Sequence, residues 1–414
     1  VTISALPDRT DVTTVAFDAP LDLFSLLPSG SPLSWVRGGE GLVAYGEYAR
    51  LELSGPDRFA EASAWWRAQV RSFRTNDDVR TGGTGPLAFG SFAFSETDAS
   101  VLIIPEVIVG RRGDQTWITK IGGNEPPVDE PYLSAKNYTL TWGEGSRSAV
   151  AWEEAVATAV GRIQAGELDK VVLARDVQAI ASAPIDQRRL MAKLAESYPT
   201  TWIFAVDGLV GATPELLVRL TKGLVTSRVL AGTIRRSGHD ERDLALAASL
   251  ARSSKDLEEH EYAVRSVAEA LTPFCSSMNV PESPFVLHLA NVMHLATDVN
   301  GVLADSLTAR DSLHLVQALH PSAAVCGTPT AAAQNVIDEI EGLARGRYAG
   351  PVGWIDAKGD GEWGIALRCA EISEQDARKV RLFAGCGIVA GSIPAEELAE
   401  SQAKLLPMRD ALEG

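Results

Sequence analysis

The sequence predicts an α/β (α+β) fold in which extensive antiparallel sheets form a sandwich flanked by helices. Two observations carry this expectation. The apolar runs are short, β-branched or alternating, and bounded by turn formers, which is strand punctuation. They also arrive in hairpin-like pairs and outnumber the helical patches, whereas a doubly wound parallel sheet needs a helical crossover between successive strands.

Residues 1–85 are mixed in character, with one helical patch from Asp57 to Arg71 that carries Trp65 and Trp66. From Pro86 the chain becomes strand-rich, in PLAFGSFAF, SVLIIPEVIVGRRG and QTWITKIGG. The polar segment Asn124 to Ser148, with three prolines, reads as a long surface connection. A helix follows from Ser148 to Ala165, with Trp152, Val156, Val160 and Ile163 on one stripe and Gly166 as its stop. It delivers the chain into KVVLAR, a strand with the length and composition of a buried one and Lys170 at its mouth. TWIFAVDG, LVGATPELLVRL and LVTSRVLAG each read as one further strand, before a long helix from Asp240 to Leu271. The last third holds a helix from Ala331 to Arg345, strands in GPVGWID, EWGIALRCAEI and RKVRLFAGCGIVA, and a final helix from Pro394. No repeat or low-complexity tract divides the chain, and its length by itself fits one large unit as well as two or three average domains.

Composition narrows the function. With 45% hydrophobic and 22% charged residues the chain has ample material for a core. No run of about 18 uncharged apolar residues occurs, and VTISALPDRTD lacks a signal-peptide pattern, which predicts a soluble, cytoplasmic protein. Cys275, Cys326, Cys369 and Cys386 lie far apart without a CxxC pair, so neither a zinc site nor a disulfide framework is expected. A net charge of -16 argues against nucleic acid and anionic membrane as partners. An anionic substrate therefore needs a local island of cations.

Several constellations could supply chemistry. In the final helix Glu397, Glu400 and Lys404 fall on one face, as do Asp256 and Glu259 in SSKDLEEHEY. Each set is either a solvated charge ladder or half of an oxygen-only site for a hard cation such as Mg²⁺. LFAGCGIVAGS misplaces the third glycine of a dinucleotide loop; Gly385 and Gly387 instead suit close approach of backbone N–H groups to a carboxylate, with Lys404 nearby. Arg368, alternating with Ala366 in EWGIALRCAEI, is either a buried structural ion or a carboxylate clamp. Glu215, between Pro214 and two leucines, has the apolar setting that raises a carboxyl pKa and suits a general acid. His294 is either a satisfied core histidine or a catalyst.

Taken together, KVVLAR, GATPELL, LAGTIRR, KDLEEHEY, HLAT, HPSAAVCG, GWID with GEWGIALRC, LFAGCGIV and EELAESQAKL resemble the chorismate-utilising enzymes, most closely the isochorismate synthases. The resemblance runs from about residue 85 to the C-terminus and implies one domain over residues 1–414, with a divergent part, 1–85, and a family-matching catalytic part, 86–414. It implies a Mg²⁺-dependent isomerase with Lys170 as the base that activates water for attack at C2 of chorismate and Glu215 as the acid that protonates the departing C4 hydroxyl. It further implies Glu259 and Glu400 as metal ligands, supported by Asp256 and Glu397. Arg368, Tyr348, Gly385, Gly387 and Lys404 correspond to substrate-gripping positions, Gly232 and Thr233 to a loop lining the pocket, and His294 to an active-site histidine. Thr297, Ala324 and Leu367 also fall among the implied substrate contacts. Lysine at position 170 sets the chain apart from the ammonia-using members, so no glutamine amidotransferase subunit is expected, and the family favours a monomer. Salicylate synthases keep the lysine but usually carry threonine where this chain has Ala324. The alternative activity is thus salicylate synthase, and a third reading is an inactive chorismate-binding homologue. The resemblance is compatible with a product that feeds menaquinone, a catechol siderophore or salicylate.

Overall fold

Alternation along the strands decides what each face of a sheet meets. In Leu33–Arg37, Trp35 joins the largest apolar cluster, which contains residues of both sheets, while Val36 faces the other side; Leu42 and Val43 divide the same way in Glu40–Tyr45. The structure, a computed structural model, describes residues 9–18, 20, 22–123, 138–289, 292–304 and 310–414, with the side chains of Lys255 and Glu259 excepted. Among these residues the strands form two sheets, of thirteen and ten strands. Pairing is antiparallel except where Thr10–Ala16 runs parallel to Phe73–Asp77.

The thirteen-stranded sheet runs from Leu140–Glu144 through Lys170–Ala181, Lys379–Ile388, Cys369–Ile372, Leu209–Thr213 and Trp202–Val206 into strands of the N-terminal part. The junction is Trp202–Val206 against Leu33–Arg37, with Ile203 opposite Val36. The ten-stranded sheet centres on Val292–Leu303, Leu224–Arg235, Leu216–Thr221, Gly361–Ile365 and Pro351–Asp356. Between the sheets lie Phe89, Phe204, Trp117 and Trp363, all fully buried. Leu190, Met191 and Leu194 of helix Gln187–Ser197, with Leu405, Met408 and Leu412 of helix Pro394–Glu413, cover the outer face of the larger sheet. Ala247 and Leu250 of helix Asp240–Leu250 pack on Met293 and Leu295 outside the smaller one. The fold is thus the antiparallel sandwich flanked by helices that the strand pattern predicts.

Several boundaries differ from expectation. The helix predicted from Asp240 to Leu271 is two, Asp240–Leu250 and Ser254–Leu271, because Ser253 starts the second by accepting the Asp256 N–H on its hydroxyl. The helix predicted to reach Arg345 ends at Ile340. Of the predicted connection Asn124 to Ser148, residues 124–137 lie outside the described residues, and Leu140–Glu144 is an edge strand. Helices Gln187–Ser197 and Ser312–Leu319 were not anticipated. LVGATPELLVRL and EWGIALRCAEI are not single strands. Each breaks in the middle, and its halves belong to different sheets. No helix among the described residues is long and apolar enough to cross a membrane.

Candidate active site

The two breaks bring the chain across from one sheet to the other, and both open onto the same cavity. At the first, Pro214 cannot donate to a ladder, so the strand stops at Thr213 and resumes at Leu216, with Glu215 between. At the second, Arg368 adopts a positive φ of 48°, which ends strand pairing between Ile365 and Cys369. The crossings lie side by side: the Ile365 N–H donates to the Glu215 carbonyl (3.2 Å) and the Ala212 N–H to the Arg368 carbonyl (3.1 Å).

The cavity measures about 210 Å³ and is lined by Lys170, Glu215, Gly232, Thr233, Asp256, His294, Ala324, Arg345, Tyr348, Leu367, Arg368, Gly385, Gly387, Glu397, Glu400 and Lys404, among others. Lys170 begins strand Lys170–Ala181 and is only 7% exposed. Glu215 is likewise buried, and this desolvation raises its pKa to about 8 against the opposing pull of Lys170, Lys404 and Arg368. It therefore carries a proton at neutral pH, as a general acid must. His294 moves the other way: burial first, then Arg368 and Lys404, depress its pKa to about 3 and leave the imidazole neutral. Its Nδ1 lies 3.0 Å from the Thr233 hydroxyl, while Nε2 is buried without a hydrogen-bond partner.

Arg368 remains charged although burial draws its pKa downward, because a guanidinium starts so high. One of its terminal nitrogens, Nη1, is buried and unpartnered. Two orphaned polar atoms on residues lining one cavity point to a polar ligand. Lys404 Nζ donates to the Gly385 carbonyl (2.9 Å) and pairs with Glu400 (2.6 Å); burial lowers its pKa, but Glu400 more than compensates. Tyr348 stacks on Phe383 with centroids 5.0 Å apart. A Cβ at position 385 would be tightly placed, 3.1 Å from the Tyr348 hydroxyl and 3.2 Å from the Leu173 carbonyl.

The carboxylates Asp256, Glu397 and Glu400 line the same cavity. Gly232, at φ 76° in a bulge of strand Leu224–Arg235, lets the backbone pass Asp256; an added Cβ would meet the Asp256 Cβ at 3.1 Å. Glu397 and Glu400 lie with the Cys386 thiol so that their ligand atoms fall within 4.8 Å of one another. Burial pushes the thiol pKa up, and its Sγ donates to the Glu397 carbonyl, so the donors offered to a cation are oxygens. That donor set fits a hard divalent ion.

Residues 129–413 match the family described as chorismate binding enzyme. The chain belongs to this family. It is 36% identical over 345 residues to isochorismate synthase DhbC of Bacillus subtilis (strain 168), covering 80% of this chain and 82% of that one. Over 414 residues it is 33% identical to the salicylate biosynthesis isochorismate synthase of Pseudomonas aeruginosa, covering 92% and 84% respectively. The crystal structure of DhbC from Bacillus anthracis superposes with a TM-score of 0.79 at 33% identity, over 95% of this chain and all of that one.

Most of the residues singled out from the family resemblance therefore meet in one place. Thr297 does not line the cavity: three residues from His294 on the same strand, it faces the opposite way, and its hydroxyl lies 2.7 Å from His260 Nε2. Arg368 sits in the crossing rather than on a strand face. The Glu259 side chain lies outside the described residues. Arg345 was missed. It forks onto Glu341, one turn earlier in the chain, and donates to the carbonyls of Val325 and Val172, both at 2.8 Å. Glu341 also accepts the Ala174 N–H (2.8 Å), so this buried pair ties the Lys170 strand to the segment bearing Ala324. The Glu–Arg spacing of four among apolar residues was the available signal.

Proposed function

We propose that this chain is an isochorismate synthase, which converts chorismate to isochorismate with Mg²⁺ as cofactor and residues 1–414 acting as one domain. The observation that carries the reading is that Lys170 and a neutral Glu215 line one cavity together with Arg368, Lys404 and the carboxylates Glu397 and Glu400. Lys170 takes a proton from water as the water oxygen bonds to C2. The ring double bonds shift, the C4–O bond breaks, and the hydroxyl departs as water with the proton of Glu215. Atoms balance, since the hydroxyl gained at C2 replaces the one lost at C4.

Binding follows from charge. A dianionic substrate entering an acidic protein is held by Arg368, whose free Nη1 awaits a carboxylate oxygen, by Lys404 and by the backbone at Gly385 and Gly387. His294 contributes a neutral ring nitrogen to the same wall. Asp256, Glu397 and Glu400, with Glu259, are the residues that would hold Mg²⁺, which when bound supplies positive charge to the ring carboxylate. Water as nucleophile needs no amidotransferase subunit, and a monomeric, cytoplasmic enzyme completes the proposal. Ala324 on the cavity wall supports release of isochorismate without further elimination.

Incubation with chorismate and Mg²⁺ should yield isochorismate, resolved chromatographically, without pyruvate. Early stoichiometric pyruvate together with fluorescent salicylate would replace the reading with a salicylate synthase. Tight chorismate binding without turnover would leave only a binding homologue.

A further inference from the structure

A second, much smaller void abuts the substrate cavity, and Glu215 and Ala324 line both. Its volume of about 10 Å³ is at the lower bound for holding one water molecule. Ser322, Ser227, Arg228 and Ala263 complete the part of the wall that matters here. Ser322 is 7% exposed, and its hydroxyl has no hydrogen-bond partner. Its backbone is pinned, because its carbonyl accepts the N–H groups of Val325 (3.1 Å) and Cys326 (3.0 Å). A buried hydroxyl without a partner is costly, and a water that also reaches a neighbouring polar group removes the cost.

We propose that Ser322 holds one ordered water against Glu215 and is thereby a positioning residue for the acid. A neutral carboxyl has one O–H and one oxygen that can only accept. A water anchored by Ser322 donates to the accepting oxygen from the void side, which leaves the O–H directed at the substrate cavity. The inference rests on Glu215 being the acid of the proposed reaction. Among the described residues, Lys170, Lys404 and Arg368 act on Glu215 from the cavity, which Asp256, Glu397 and Glu400 also line, and Arg228 lies on the void side, where Asp298 engages it at 2.7 and 2.8 Å. None of these changes when Ser322 is replaced.

The test uses the full chain with Mg²⁺ and chorismate. Ser322→Ala should lower kcat about tenfold while KM stays within about twofold. A lost donor disfavours the carboxylate, so the alkaline limb of the pH profile should move up by about one unit. The infrared C=O stretch of protonated Glu215, assigned by its disappearance in Glu215→Gln, should rise in frequency. Ala263→Val, which fills the void and keeps the hydroxyl, should reproduce all three changes. Independently of any variant, a high-resolution crystal structure should place a water within hydrogen-bond reach of both Ser322 Oγ and Glu215. A dry void, or an unmoved limb and stretch while Glu215→Gln is inactive, overturns the role of Ser322. Full activity in Glu215→Gln overturns instead the acid assignment beneath it.

Discussion

Glu215 and Arg368 occupy equivalent places, each at a crossing between the sheets, joined by neighbouring backbone hydrogen bonds and lining one cavity. Burial has opposite consequences for them. It makes the carboxyl neutral, because a pKa of about 8 lies above neutral pH. The guanidinium keeps its charge, since even a lowered pKa leaves it far from deprotonation. One desolvating environment therefore creates a proton donor at one crossing and an unsatisfied demand for an anion at the other. Intrinsic acidity, rather than location, separates their roles.

Exchanging the acid for a group without a titratable proton tests that separation most severely. Glu215→Gln should reduce kcat by about 10² to 10⁴-fold with little change in KM, measured by steady-state kinetics. At the other crossing Arg368→Lys keeps the charge but loses the planar fork, and KM for chorismate should rise about 10 to 100-fold; an unchanged KM would remove Arg368 from carboxylate binding. Titration sharpens the contrast. Activity that needs protonated Glu215 should fall as pH rises through about 8.

Stability should respond to the same shift. A raised carboxyl pKa means that the folded state holds the extra proton, so Glu215 penalises folding increasingly from about pH 4.5, its ordinary value, to about 8. His294 does the reverse, with a penalty that is absent above about 6.5 and grows as pH falls toward about 3. Thermal melts against pH should therefore flatten on the alkaline side in Glu215→Gln and on the acid side in His294→Gln. The smallest effect is expected at the bulge beside Asp256. Gly232→Ala, at φ 76°, should cost about 1–2 kcal/mol in denaturant unfolding and weaken Mg²⁺ binding measured by calorimetry.

Much of this was legible in the chain. Strand-like runs with turn punctuation indicated antiparallel sheets, and spacings of three and four placed Glu397, Glu400 and Lys404 on one helical face, as the cavity wall bears out. The apolar surroundings of Glu215 indicated a raised pKa, and the structure agrees in direction and cause. Thr297 was misplaced because a correspondence of motifs says nothing about strand parity. Arg345 escaped notice because a Glu–Arg pair one turn apart reads the same in water as in a core.

Local physics is enough to specify element type, helix face and the identity of reactive groups, since these depend on neighbours a few residues away. The crossings are different. Pro214 marks a stop in LVGATPELLVRL and nothing comparable marks EWGIALRCAEI, but in both runs only the pairing partners show that the two halves belong to separate sheets, divided at Glu215 and Arg368. Desolvation then acts on those two residues because both sheets and the final helix close over them. That closure is set by contacts hundreds of residues apart, which no window of sequence contains.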